Sequence, residues 1–222
     1  MKTNHDGTVT LNANVYEGII QGSEQWLKEC RLGKVTASRV ADILAKTKTG
    51  VSASRGNYLI ELALQRVTGN IEPTYMNEAM QWGTSTEPQA RVAYEVKTGN
   101  FVDQIAFIDH DVISWFGCSP DGLVNNDGLI EIKCPNSATH WATIKDGKPP
   151  AKYVIQMQSQ MAVTNREWCD FISFDPRMPE RSQLFICRVE RNKTMIDEIE
   201  SEVVKFLSEV ESEVERMKNY GI

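Results

Sequence analysis

The stretch Cys118-Ser119-Pro120-Asp121-Gly122-Leu123-Val124-Asn125-Asn126-Asp127-Gly128-Leu129-Ile130-Glu131-Ile132-Lys133-Cys134-Pro135 reads as two short strands around a turn. Gly117 to Val124 runs into a segment rich in Asn, Asp and Gly, and Leu129 to Cys134 runs out of it. Side chains alternate along a strand, so Glu131 and Lys133 share one face while Ile130, Ile132 and Cys134 share the other. Antiparallel pairing across a loop at Val124 to Gly128 sets Asp121 opposite Glu131. Two carboxylates and an amine then share one face. The same spacing also suits a surface hairpin with a cross-strand ion pair.

These residue types match the demands of phosphodiester hydrolysis. An anionic phosphate must be neutralised, hydroxide made at neutral pH and the leaving oxygen stabilised. Hard divalent cations such as Mg²⁺ meet all three demands and prefer carboxylate, carbonyl and water oxygens. Asp121 and Glu131 offer the carboxylates, and the backbone carbonyl of Ile132 a neutral third oxygen. Lys133 is a compact donor suited to orienting an attacking water.

Composition sets outer bounds. The chain has 222 residues, 41% hydrophobic and 24% charged, as expected of a soluble globular protein. No apolar run reaches the length of a membrane span, and the polar start Met1-Lys2-Thr3-Asn4-His5-Asp6 does not read as a signal peptide. Five cysteines without a CxxC pair suggest reduced thiols in a cytoplasm. The net charge of −6 is unevenly spread. Eight of the 30 acidic and four of the 24 basic residues lie in 193–222, which leaves the remainder near neutral. No basic stripe is visible, so binding along the outside of a duplex by counterion release is disfavoured. An enzyme that encloses nucleic acid and draws charge from metals and a few arginines fits better.

Residues 1–20 read as a loose lead-in to one domain spanning 1–222. Ser23 is placed to cap a short helix carrying Trp26 and Leu27, and Thr36-Ala37-Ser38 opens another with Val40, Ile43 and Leu44 inward. Residues 46–56 read as a loop, followed by a helix from Asn57 to Thr68 with Leu59, Leu62, Ala63 and Val67 inward. Asn77 to Gly99 has helical spacing, with a kink or restart expected near Thr86 because Pro88 removes a donor and crowds the carbonyl of Thr84. Phe101 to Ile108 and Val112 to Phe116 read as strands, with Asp109 in the turn between them. After a helix capped by Asn136 or Ser137, an amphipathic helix at 152–163 carries an amide stripe of Tyr153, Gln156 and Gln160 beside an apolar stripe of Val154, Met157 and Met161. Strands at 168–174 and 183–189 precede a long amphipathic helix at 194–220.

Pro120-Asp121, with Glu131-Ile132-Lys133 ten residues on, resembles the PD-(D/E)XK nuclease signature. Four further blocks follow one branch of that superfamily: Trp26 with Arg31-Leu32-Gly33 and Thr36-Ala37-Ser38; Trp82-Gly83 with Glu87; Tyr153 with Gln156 and Gln158; and Asp175-Pro176-Arg177-Met178. From about Gly22 to about Arg191 the chain resembles the phage lambda exonuclease and YqaJ-type viral recombinase family.

The resemblance implies an α/β, restriction-endonuclease-like three-layer sandwich with a central mixed β-sheet and a site at one end. It also implies a Mg²⁺-dependent 5′-to-3′ exonuclease, with Mn²⁺ a possible substitute and two ions per site. Such an enzyme degrades one strand of linear duplex DNA from 5′-phosphorylated ends and leaves 3′ overhangs for a single-strand annealing protein. Relatives of this kind act as ring-shaped homotrimers in the bacterial cytoplasm. Carried onto this chain, Asp121, Glu131 and the Ile132 carbonyl bind metal, and Glu87 assists a second ion or a bound water. Lys133 orients the nucleophile, with Gln156 supporting it or the phosphate, while Arg31, Ser38, Ser119 and Gln156 grip the 5′-phosphate. Met80 falls where the family carries an apolar wedge that parts the strands, with core packing as the other reading. An iron–sulfur nuclease of the same fold is disfavoured because Cys169 and Cys187 stand alone downstream. A structure- or site-specific endonuclease and a non-catalytic DNA-binding module are the alternatives.

Overall fold

The computed structural model describes residues 2–3, 9–10, 16, 18–48, 50–72 and 76–221. Most of the lead-in expected over 1–20 lies outside these residues. A short antiparallel ladder joins β1 (Lys2–Thr3) to β2 (Val9–Thr10). A π-helical turn, Trp26–Arg31, leads to β3 (Val35–Thr36), the 3-10 turn Ala37–Arg39 and α1 (Val40–Leu44). A second ladder, β4 (Lys46–Thr47) with β5 (Gly50–Val51), precedes α2 (Ala53–Thr68) and α3 (Glu78–Thr98). Five short strands follow: β6 (Val102–Asp103), β7 (Ile108–Asp109), β8 (Phe116–Cys118), β9 (Gly122–Val124) and β10 (Gly128–Lys133). The chain closes with α4 (Ser137–Asp146), α5 (Ala151–Thr164), β11 (Trp168–Phe174), β12 (Leu184–Glu190) and α6 (Lys193–Lys218).

The main sheet is mixed, in the order β12-β11-β10-β9-β6, and only β10 and β11 run parallel. That parallel pair needs a crossover, which α4 and α5 supply. Alternation along β10 divides the core. Ile130 and Ile132 pack with Val124, Ile172 and Phe174 against Ala90 and Tyr94 of α3. Leu129 lies on the opposite face with Phe171 and Cys169, against Met157 and Met161 of α5. Helices thus cover both faces of a central mixed sheet. A smaller sheet, β3-β8-β7, is buried against α1, α2 and α6, where Ile196, Ile199, Val203, Phe206, Val210 and Val214 form the inner stripe expected of the last helix.

Several expectations need correction. The strand expected from Gly117 to Val124 is two strands in two sheets: β8 pairs with β3 and β7, and β9 pairs with β10 and β6. The loop is shorter than expected, since Val124 and Gly128 are themselves paired and Asn125 takes φ +50° in the tight turn. Residues 112–115 are not a strand, because His110 Nδ1 accepts from the N–H groups of Val112 and Ile113 and so occupies two ladder donors. Asp109 is a strand residue, ion-paired to Lys34 at 2.6 Å. The helix expected from Asn57 begins at Ala53, where the Ser52 hydroxyl accepts from the Arg55 N–H, and its inner face is Tyr58, Leu62, Ala63 and Gln65, with Val67 exposed. Finally, α3 runs unbroken through Pro88, with no restart at Thr86. Burial of Thr86, Ala90 and Tyr94 on one face holds the helix together across the missing N–H.

Candidate active site

The site forms where β9 begins and β10 ends. The register pairs Val124 with Gly128, Leu123 with Leu129 and Gly122 with Ile130, so its next step sets Asp121 beside Glu131. Asp121 Oδ2 accepts from the Ile132 N–H at 2.6 Å, which ties the carboxylate to the strand between Glu131 and Lys133. Gly122 lets the corner close. A Cβ there would come within 2.1 Å of Val102 Cγ1, so no larger residue fits beside Asp121 without movement.

Glu131 is fully buried, and both of its oxygens are held. Lys133 Nζ lies 2.5 Å from Oε1, and Gln156 Nε2 donates to the same oxygen at 2.8 Å. Gln160 Nε2 donates to Oε2 at 2.7 Å. The amide stripe on α5 therefore faces the carboxylate, one helical turn separating its two donors. Tyr153, one turn earlier on the same helix, carries the Lys133 ammonium over its ring at 5.0 Å.

Glu87 reaches the site from the middle of α3. Its Oε1 accepts from Arg91 Nη2 at 2.6 Å, and Arg91 is also 3.4 Å from the carbonyl oxygen of Asp121. Gln104, with its amide oxygen turned inward, accepts from Arg91 as well. One arginine thus links the Glu87 helix to the Asp121 corner.

The electrostatics are those of acids gathered out of water. Burial, then repulsion from Glu131, pushes the Asp121 carboxyl well above the usual range. Burial also raises Glu87, opposed by Arg91. Burial opposes the charge on Lys133, yet the Glu131 and Asp121 carboxylates keep its ammonium above the ordinary lysine value. A site of this character favours a bound cation, and its donors are the hard oxygens that magnesium-type ions take. Among the described residues, no three His, Cys, Asp or Glu side chains converge as a metal cluster. The side chains that could hold such an ion are the Asp121 and Glu131 carboxylates, with Glu87 to one side and held by Arg91.

Around the corner from Asp121 lies a second cluster. Ser119 donates to the Ala106 carbonyl at 2.7 Å and accepts from Trp26 Nε1 at 3.2 Å. Arg31 stacks on Trp26, 4.5 Å from the ring centroid, and reaches Thr36 Oγ1 at 3.5 Å. Thr36 Oγ1 is 3.3 Å from the Ser38 hydroxyl. Ser38 is exposed and does not cap its helix. Burial lowers the pKa of Arg31, which has no carboxylate at ion-pair distance among the described residues. Arg31, Ser38 and Ser119 are thus joined through Trp26 and Thr36, while Gln156 belongs to the Glu131 side.

Two clefts of about 500 Å³ meet over Thr84, Glu87 and Asp121. One runs past Trp26, Arg91 and Gln104, and the other past Met80, Lys133, Cys134 and Tyr153. Met80 is 43% exposed, so it lines the cleft and is not a core residue. Arg177, held by Asp175 and the Pro135 carbonyl, stacks on Trp82 at 4.2 Å. Gln160 and Arg91 are the residues that sequence reasoning left out of the site. The first stood in the amide stripe, and the second lies one helical turn after Glu87.

Comparison with known proteins identifies the family. The profile of the YqaJ-like viral recombinase domain matches residues 25–167, which include Arg31, Ser38, Glu87, Asp121, Glu131, Lys133 and Gln156. The chain is similar to the crystal structure of an alkaline exonuclease from Laribacter hongkongensis, with 54% identity and a TM-score of 0.83 over 88% of this chain and 96% of that one. A structure of the same exonuclease in complex with dAMP matches equally well. A phage-related exonuclease from Haemophilus somnus 129PT shares the fold, with a TM-score of 0.64 at 18% identity over 83% of this chain and 96% of that one. A search of curated protein sequences gives no match. With the family profile covering well over half of its length, the chain belongs to the YqaJ-like viral recombinase family.

Proposed function

We propose that the chain is a divalent-metal-dependent deoxyribonuclease that removes nucleotides from one strand of linear duplex DNA, starting at a 5′-phosphorylated end and leaving a 3′ overhang. The supporting observation is the convergence of Asp121, Glu131 and Lys133 at one strand end, near a half-buried arginine with no carboxylate at ion-pair distance among the described residues. Similarity to an alkaline exonuclease supports the reaction class.

Asp121, Glu131 and the Ile132 carbonyl would hold the ion, with Glu87 placed for a second. Bound there, Mg²⁺ or Mn²⁺ would polarise the phosphoryl oxygens and make hydroxide available at neutral pH. Lys133 turns from Glu131 to orient the attacking water and to donate to the oxygen that gains charge. Gln156 keeps the Glu131 carboxylate in register, or reaches the phosphate. Arg31, Ser38 and Ser119 offer a bidentate guanidinium and two hydroxyls to the terminal phosphate, which fixes the scissile bond one nucleotide away. Met80 stands at the cleft mouth, where an apolar wedge would part the end base pair. A ring of three copies around the duplex, transfer of the 3′ strand to an annealing protein and action in the bacterial cytoplasm complete this reading by family resemblance.

Digestion of end-labelled duplex with and without Mg²⁺ tests it. Mononucleotides should appear from linear 5′-phosphorylated duplex and not from closed circles. Cutting of closed circles would favour the endonuclease alternative, and Mg²⁺-independent binding with no product would favour a DNA-binding module.

A further inference from the structure

Gln160 is 1% exposed, on the stripe of α5 next to the buried Met157 and Met161. Its nitrogen donates to Glu131 Oε2 at 2.7 Å, while its oxygen is buried and has no partner among the described residues. A buried acceptor left unpaired is unfavourable, and a methionine in the same place would avoid it. Packing alone therefore does not account for an amide here. The bond to Glu131 does.

We propose that Gln160 is a positioning residue that frees Lys133 for work on the substrate; this rests on the nuclease reading above. Glu131 takes three donors: Lys133 and Gln156 on one oxygen, and Gln160 on the other. When Lys133 turns towards the reacting water, Oε1 keeps Gln156 and Oε2 keeps Gln160. The buried carboxylate then keeps a donor on each oxygen and stays fixed in direction. Without Gln160, one buried oxygen would have no donor. Lys133 would remain the main counterweight to the carboxylate, or the carboxylate would rotate. Neutral amides suit this task because they hold the charge without cancelling it.

The test is Gln160→Met, with Gln160→Leu as a second variant should the first fail to fold. With 5′-phosphorylated duplex and saturating Mg²⁺, kcat should fall about 10- to 100-fold, the loss expected for one hydrogen bond to a charged group. KM for the duplex should stay within about twofold, and the loss of kcat should persist at temperatures well below the variant's own Tm, where it is fully folded. Calorimetric titration of the metal-free protein with Mn²⁺, without DNA, should show affinity weakened by about 10-fold. Wild-type kcat in a folded variant, or unchanged Mn²⁺ affinity, would overturn the proposal. A kcat loss that merely tracks a lowered Tm would also overturn it, by reducing Gln160 to a packing residue. If wild-type protein binds Mn²⁺ but releases no nucleotide, the nuclease reading fails, whereas weaker Mn²⁺ binding by the variant would still support the positioning role.

Discussion

The acid centre and the arginine pocket adjoin, with Ser119 in one and Asp121 in the other, yet they are built in opposite ways. Glu131 projects from a six-residue strand in the interior of the sheet, and its partners come from that strand and from a fourteen-residue helix. There Glu131 is paired with Lys133 and Glu87 with Arg91, while Asp121 is held by a backbone N–H. Arg31 projects from a π-helical turn, braced by an indole face and a hydroxyl, with no ion-pair partner among the described residues. π-Helical turns are rare and concentrate at functional sites. On the proposed reading the contrast separates two kinds of recognition: acids that would take a small cation, and a half-buried guanidinium that would take an anion.

Breaking the acid side should have the largest effect. Asp121→Asn or Glu131→Gln should lower Mg²⁺-dependent nucleotide release by ~10³-fold or more, the loss of several kcal/mol of metal-based stabilisation. Circular dichroism should remain native. Wild-type turnover in either variant would remove the metal assignment.

Breaking the other side should change selectivity more than chemistry. Arg31→Ala should erase a roughly 10- to 100-fold preference for 5′-phosphate over 5′-hydroxyl ends, as expected for loss of a charge-assisted pair. An unchanged ratio in a competition assay would disconnect the pocket from the phosphate. Met80→Ala touches neither cluster. It should slow initiation on fully paired ends by a few-fold, about the value of one buried side-chain contact, and leave pre-frayed ends unaffected. Equal slowing on both ends would deny a wedge role.

The smallest effect is on stability, and its sign is the informative part. Burial and Glu131 raise the folded-state pKa of Asp121 above its unfolded value. That contribution to stability is fully present below about pH 4 and is lost as pH rises through the folded-state pKa. Without metal, Asp121→Asn should therefore raise Tm by roughly 2–4 °C near neutral pH. It should do little at about pH 4. A lower Tm at neutral pH would mean that the carboxylate stabilises the fold, contrary to the burial argument.

The same contrast explains how much could be read from the residues alone. The acid centre was legible because it follows periodicity. Alternation along 130–134 separated Glu131 and Lys133 from Ile130 and Ile132, and spacing of four on α5 grouped Gln156 with Gln160. The long helix α6 was legible for the same reason. Errors arose where a tertiary partner overrode a local pattern. His110 captured the donors of 112 and 113, and burial of Ala90 and Tyr94 carried α3 through Pro88. The division of 117–124 between two sheets depends on pairing with β3 and β6, which no local pattern reports. Trp26 as the bridge between Arg31 and Ser119 was likewise hidden, because the two residues lie far apart in the chain.

Binding of Mn²⁺, followed by electron paramagnetic resonance in the absence of DNA, reports on the shared ion without relying on catalysis. Wild-type protein should remove free Mn²⁺ from solution, and both Asp121→Asn and Glu131→Gln should abolish the tightest site. If either variant, still folded, bound the ion as the wild type does, the two carboxylates would not hold a common cation.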